Sequence, residues 1–450
     1  MKELLRRISL LTIVLMLVSC SKDESPKTTE KEPEPTPHNY TIMFYGCGGG
    51  NLDNVFEDVA LNSVVYYLDL PSNINVVGQM KWSYGYGAEA TMGKGGVARY
   101  TYDHQTNAYK HSIVSDKEYD IDDASNLANF ITWTKRNAPA DEYIMVFMGH
   151  GNGYHPSFEG SNTRAILRDD QDPVYLGLNS ITEAFELSDA KFSLIYMHSC
   201  LMNSLEYATE LAQYTNYYLA STLATSGSGG EIYYILEALM AMDSYNEESI
   251  IEAVKHLLDK DYDECWCQDT LPIDHVLTDC SKIAEINSAI REFTDIVIGL
   301  YDEEASIGSE AMMERYGFTT TTIDEALGNA YYLLNAHFSE SQINNLEWYR
   351  ISYAFDIVDI ATQVAEATQF GEITAAANKI RSAATETTIY KRYANIEALE
   401  QVYYNITLVN SEQWTTLGYE AAGYTTTALD KATGWSRLLR ANNGVFQHCR

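Results

Sequence analysis

A three-layer α/β sandwich built on a mostly parallel sheet is the fold that this 450-residue sequence predicts. Three observations carry the prediction. Short apolar runs alternate with amphipathic helical stretches along much of the chain. Two of the runs, Tyr143–Met148 and Phe192–Met197, are apolar almost throughout, as strands covered on both faces are. Both end in turn residues with reactive side chains, Gly149-His150-Gly151 and His198-Ser199-Cys200. In open α/β sheets the carboxyl ends of the strands form the binding edge.

Each element has its own signal. Tyr40–Tyr45 is a first strand, closed by Gly46-Cys47-Gly48-Gly49-Gly50. That run lacks G-x-G-x-x-G, so it is no dinucleotide site; it allows a tight turn. A helix follows from about Asn51 to Leu68, then strands at Ile74–Met80 and Val97–Tyr102. Asp123 caps a helix reaching Arg136, which leads into the His150 strand. Ser180–Leu187 is helical and precedes the Cys200 strand. Leu201–Leu211 has apolar residues at helical spacing, which sets Cys200 near a helix N-terminus. Such a position lowers a thiol pKa from its usual value of about 8.5. Tyr217–Ser221 is a short strand, and the loop Thr225–Gly230 after it flanks the expected substrate site. Beyond it the chain reads as mainly helical, with a strand at Ile273–Thr278 and a mixed, tyrosine-rich last seventy residues. The expected organisation is a catalytic domain over 39–380 and a small C-terminal subdomain over 381–450 packed on it.

The first 20 residues read as a lipoprotein signal. Lys2, Arg6 and Arg7 precede the apolar run Ile8–Val18, too short to span a bilayer. Leu17-Val18-Ser19-Cys20 then looks like a lipobox, with Cys20 the lipidated residue. The acidic Ser21-Lys22-Asp23-Glu24 resembles the surface-export signal of Bacteroidetes lipoproteins. An exported protein anchored to the outer membrane, or displayed at the cell surface, is therefore expected. Residues 21–38 hold four of the nine prolines and no large apolar side chain, which describes a disordered tether. The net charge of −33 makes nucleic acid an unsuitable partner. Besides Cys20 there are Cys47, Cys200, Cys265, Cys267, Cys280 and Cys449, too scattered for a disulfide framework. Cys265, Cys267, His275 and Cys280 match no zinc-site spacing.

A cysteine and a histidine on matched strand ends suit nucleophilic catalysis. Cys200 would attack, and His150 would act as base. The N–H groups of Gly151 and Cys200 are placed to stabilise an oxyanion. The bland alternative makes Cys200 a small buried hydrophobe and His150 a turn residue. It suits either residue alone better than it suits the pair.

At these residues the chain resembles the clostripain-like cysteine peptidases. Tyr40-Thr41-Ile42-Met43-Phe44-Tyr45 and Asn51-Leu52 match the family's opening strand and helix start. His150-Gly151 matches its H-G motif, and Cys200-Leu201-Met202 with Glu206 matches its C-L-M motif and following Glu. Leu277-Thr278-Asp279-Cys280-Ser281-Lys282-Ile283 and Ala432-Thr433-Gly434-Trp435 resemble later family elements. The resemblance implies a caspase-like fold, a Cys/His dyad, cleavage after Arg or Lys, no cofactor for the chemistry, and calcium in several members. It also implies self-cleavage between the His and the Cys, for which Arg164-Ala165 is the candidate bond and Arg168 the second choice.

Where the family has an acid and an alanine before the nucleophile, this chain has His198 and Ser199. That acid neutralises a basic side chain at P1, the substrate residue before the cleaved bond. His198, Ser199, Thr222 and Glu231 are the expected substrate-binding residues, with Glu231 the compensating acid and Asp169 and Asp170 behind it. Without compensation P1 becomes neutral or acidic. The expected partners are polypeptide substrates, met by a monomer. The alternatives are a catalytically weak surface protein that binds peptides or glycans, and a thiol transpeptidase or amidase.

Overall fold

Alternation along the central strands splits the hydrophobic core into two layers. The computed structural model describes residues 39–327 and 355–441, apart from 49, 83–95, 116–118, 152, 155–164, 168–173, 224, 226–228, 243–245, 266–272, 395–406 and 409–422. Nine strands form one sheet: β1 (Tyr40–Cys47), β2 (Ile74–Lys81), β3 (Val97–Asp103), β4 (Ala108–Ser115), β5 (Glu142–Met148), β6 (Phe192–His198), β7 (Thr215–Ala220), β8 (Ile273–Asp279) and β9 (Thr388–Ala394). Their spatial order is β9-β8-β7-β6-β5-β1-β2-β3-β4. The five central strands from β7 to β2 run parallel. Antiparallel pairing takes over at both edges, through β3 and β4 on one side and β8 and β9 on the other.

Met43, Tyr45, Phe147, Ile195 and Met197 point to one face. They pack there against α2 (Ala124–Asn137), α3 (Leu178–Leu187), α4 (Leu205–Leu211) and the long α7 (Ile283–Ile307). Ile42, Phe44, Val146, Leu194 and Tyr196 point to the other. Against them pack the helical run α1 (53–67), α5 (Ile232–Met240) and α6 (Glu247–Lys260). Each such side chain, fully buried, contributes about 1.5–3 kcal/mol.

The expected strands appear within a residue or two of their ends. Two strands had no clear signal. β4 lies at the sheet edge with Lys110, His111, Ser112, Ile113 and Val114 all exposed, so it carries no apolar alternation. β9 is half-buried along its whole length. The helix expected from Asn51 contains a π segment at Glu57–Asn62. A boundary at 380 falls inside a helix, Gly371–Thr387, whose chain continues directly into β9 of the main sheet.

Candidate active site

β5 and β6 lie side by side in parallel, with Met148 opposite His198. Each chain runs two residues further, so His150 and Cys200 leave the sheet at one edge. Two hydrogen bonds keep the strand ends in step. The Ser199 hydroxyl donates to the Gly149 carbonyl oxygen at 2.7 Å, and the Gly149 N–H donates to the His198 carbonyl at 3.5 Å. Ser199 is buried and braces the two strand ends. The loop after His150 then presses on the loop after Cys200. A Cβ on Gly151 would overlap the Cys200 carbonyl oxygen and lie 3.0 Å from Met202 Sδ, so only glycine fits there.

His150 Nε2 lies 2.7 Å from Asn51 Oδ1, in the turn that follows β1. With its proton on Nε2 for that bond, the ring carries its lone pair on Nδ1. Asn51 was read only as a helix start.

Cys200 is half-buried as a residue. Its thiol donates to the Thr225 carbonyl oxygen at 3.7 Å and accepts from the Thr225 N–H at 3.4 Å. Burial pushes its pKa above the ordinary thiol value, against the pull of the Thr225 and Cys200 backbone N–H groups. This corrects the expected helix-terminal thiolate. α4 begins only at Leu205, where the Ser204 hydroxyl accepts from Tyr207 N–H. Residues 200–204 form an irregular turn instead, with Leu201 in the left-handed region at φ 64°. The apolar spacing ran through both segments; the signal for the true start was Ser204, a good N-cap residue followed by an acid.

The turn is held from the side of β7. Leu201 N–H donates to the Leu223 carbonyl at 2.9 Å, and Asn203 N–H to the Ser221 carbonyl at 2.8 Å. The Asn203 side-chain amide donates to Thr222 Oγ1 at 2.9 Å. Thr222 is buried and braces the turn.

His198 is 2% exposed. Its ring stacks on Tyr196 at 5.6 Å and meets the Phe56 ring edge-on at 5.8 Å. Burial drives its pKa down to about 4. Gly230, at φ +70°, covers it: a Cβ there would lie 2.5 Å from His198 Nε2 and 2.7 Å from the Tyr196 hydroxyl. Gly230 N–H donates to Oδ2 of Asp261 at 2.8 Å. Asp261 is wholly buried, and burial pushes its carboxyl well above the usual range. His198 Nδ1, the Tyr196 hydroxyl and Asp261 Oδ1 have no hydrogen-bond partner among the described residues. Asp261 was not legible as a site residue, because it sits in the acidic stretch Asp259-Lys260-Asp261-Tyr262-Asp263-Glu264 and only tertiary burial singles it out. Glu231 starts α5, half-buried, its pKa raised by burial and by Asp58 nearby.

Ile166 bridges to Gly151, and Ala165–Ile166 pairs with Leu176–Gly177. Cys20, Arg164, Arg168, Asp169, Asp170, Cys267 and Cys449 lie outside the described residues, as does the Cys265 side chain. His275 packs on the Tyr196 face with its Nδ1 3.1 Å from the Tyr262 hydroxyl, whereas Cys280 belongs to the opposite core layer. The sheet thus separates two members of the zinc set. Among the described residues no group of three or more His, Cys, Asp or Glu converges.

Residues 91–439 match the model of the clostripain family. Clostripain of Hathewaya histolytica is 26% identical over 260 residues, which are 51% of this chain and 48% of that protein. The chain thus spans about half the length of that relative. A secreted C11 cysteine protease from Bacteroides thetaiotaomicron superposes with a TM-score of 0.58 at 16% identity, over 89% of this chain and all of that one. An inactive zymogen C11 protease from Parabacteroides distasonis gives 0.52 at 14% identity, over 89% and 99%. At such identities the likeness is one of fold, and it establishes the caspase-like sandwich.

Proposed function

The chain belongs to the clostripain family of cysteine peptidases, and on that premise we propose that it is an endopeptidase with Cys200 as nucleophile and His150 as general base. The observation that carries this reading is the delivery of both residues to one sheet edge by adjacent parallel strands. Because burial raises the Cys200 pKa, the resting sulfur stays a thiol until His150 takes its proton during attack. His150 then gives that proton to the leaving amine, and water hydrolyses the thioester. The N–H groups of Gly151 and Cys200 receive the oxyanion.

For P1 we favour Lys or Arg. Asp261 supports this in place of the family's acid, since its Oδ1, without a hydrogen-bond partner among the described residues, is buried near Tyr196 and behind Gly230. A cation entering there would ionise the carboxyl and pair with it at low dielectric. Self-cleavage after Arg164 fits the anchoring of Ile166 against Gly151, because a cut just before Ala165 would leave that anchor in place. Lipidation at Cys20, an outer-membrane or surface location and a monomeric state complete the proposal.

The test is a P1-diverse fluorogenic peptide library offered to the wild type, Cys200→Ala and Asp261→Asn. Cys200→Ala should cut nothing and stay in one piece. Asp261→Asn should lose Lys and Arg substrates at least tenfold relative to neutral P1. Turnover by Cys200→Ala would sink the peptidase assignment, and an unchanged P1 profile in Asp261→Asn would sink the pocket.

A further inference from the structure

The turn that carries the thiol has no helix beneath it, so something else must fix the sulfur. Its partners are the backbone of 221–223 and of Thr225, which lie beyond the end of β7. That extension is held in turn by one residue of the neighbouring strand. Asp274, the second residue of β8, is wholly buried. Its Oδ1 accepts from the Ser221 hydroxyl at 3.0 Å and from Leu223 N–H at 2.8 Å. Its Oδ2 accepts from Thr222 N–H at 3.3 Å. Three consecutive residues are thus pinned by one carboxylate. The same three residues supply the Leu223 and Ser221 carbonyl oxygens and the Thr222 hydroxyl that hold Leu201 and Asn203.

Resting on the reading of Cys200 as nucleophile, we infer that Asp274 is a positioning residue for it, acting through the 221–225 segment. Asp274 bonds to the 221–223 segment, one step removed from the sulfur. It fixes the acceptors that shape the Cys200 turn, two residues before Thr225, whose N–H and carbonyl meet the thiol directly. A carboxylate suits the task because it only accepts, and the Ser221 hydroxyl, Thr222 N–H and Leu223 N–H all present donors to it. An amide of the same shape would turn a donor toward at least one of these donors. A buried aspartate on a strand is more often a structural brace alone, so the discriminating readout must be at the sulfur.

The experiment compares wild type, Asp274→Asn and Ser221→Ala. Ser221→Ala removes one donor and keeps the carboxylate, so it folds even if Asp274→Asn does not. The first readout is the pH profile of iodoacetamide alkylation at Cys200, followed by mass spectrometry, which needs no peptidase activity. The second is kcat and KM on the best peptide from the library. Asp274→Asn should shift the alkylation inflection, as the Thr225 N–H leaves the sulfur, and lower kcat about 10- to 100-fold with KM within about twofold. Ser221→Ala should show the same pattern more weakly. An unshifted alkylation profile in both variants overturns the inference, even if both melt earlier. A wild type that alkylates normally yet cuts no peptide would instead count against the peptidase reading, leaving the Asp274 comparison intact.

Discussion

His198 shows how one substitution redistributes chemistry. A carboxylate at this position would be costly to bury beside Tyr196 and Phe56, whereas a neutral imidazole is tolerated there. The imidazole is held neutral, with its pKa down to about 4. The linkage then has a definite sign. Above pH ~6.5 the ring is neutral folded and unfolded, and its contribution is fully present. As pH falls from there toward 4, the unfolded chain takes up a proton that the folded protein refuses, and roughly 3 kcal/mol of stability is lost. Chemical-denaturant midpoints of the wild type should therefore drop across that window. His198→Gln should flatten this part of the curve, whatever it does to stability at pH 7; an unchanged slope would mean that the ring is protonated in the fold. The sequence named His198 as a site residue but left its protonation open, since burial on both faces of the ring is a tertiary fact.

At the scale of elements, the site is two strand ends and the loops that lean on each other beyond them. Gly151→Ala tests this contact. The new Cβ would meet backbone, the Cys200 carbonyl, which has no rotamer to swing away. Activity should fall by about 100-fold or more, with the fold retained by circular dichroism. Full activity in this variant would mean that the two loops are farther apart than the structure places them. This part of the site was legible because it follows from local pattern. The apolar runs name β5 and β6, and their parallel pairing follows from the layered fold. What stayed hidden depends on residues distant in the chain. Nothing near Thr225 marks it as a thiol partner, and Asp274 reads as an ordinary polar residue at a strand start. The turn at 200–204 was hidden for another reason: helical spacing of apolar residues does not say where hydrogen bonding begins, and the Ser204 cap does.

Across the whole molecule, the C-terminal segment reaches back to the catalytic loops. The Tyr424 hydroxyl donates to Glu206 Oε1 at 3.0 Å, in the first turn of α4 after Cys200. Its ring meets Tyr154, four residues past His150, edge-on at 5.6 Å. Ala428 N–H adds a 2.7 Å bond to Glu210. Tyr424→Phe keeps the ring contact and takes one donor from a buried carboxylate, so it should cost about 1–3 kcal/mol in a denaturant melt. A neutral result would mean that Glu206 needs no donor from this side. Tyr424 follows Glu206 by 218 residues. At about 5–20 residues per second, synthesis of that interval takes roughly 10–40 s. Through that time a nascent chain holds both His150 and Cys200 without the residue that ties their loops together. Docking of the C-terminal segment on those two loops is thus a late event in synthesis, timed by position along the chain alone.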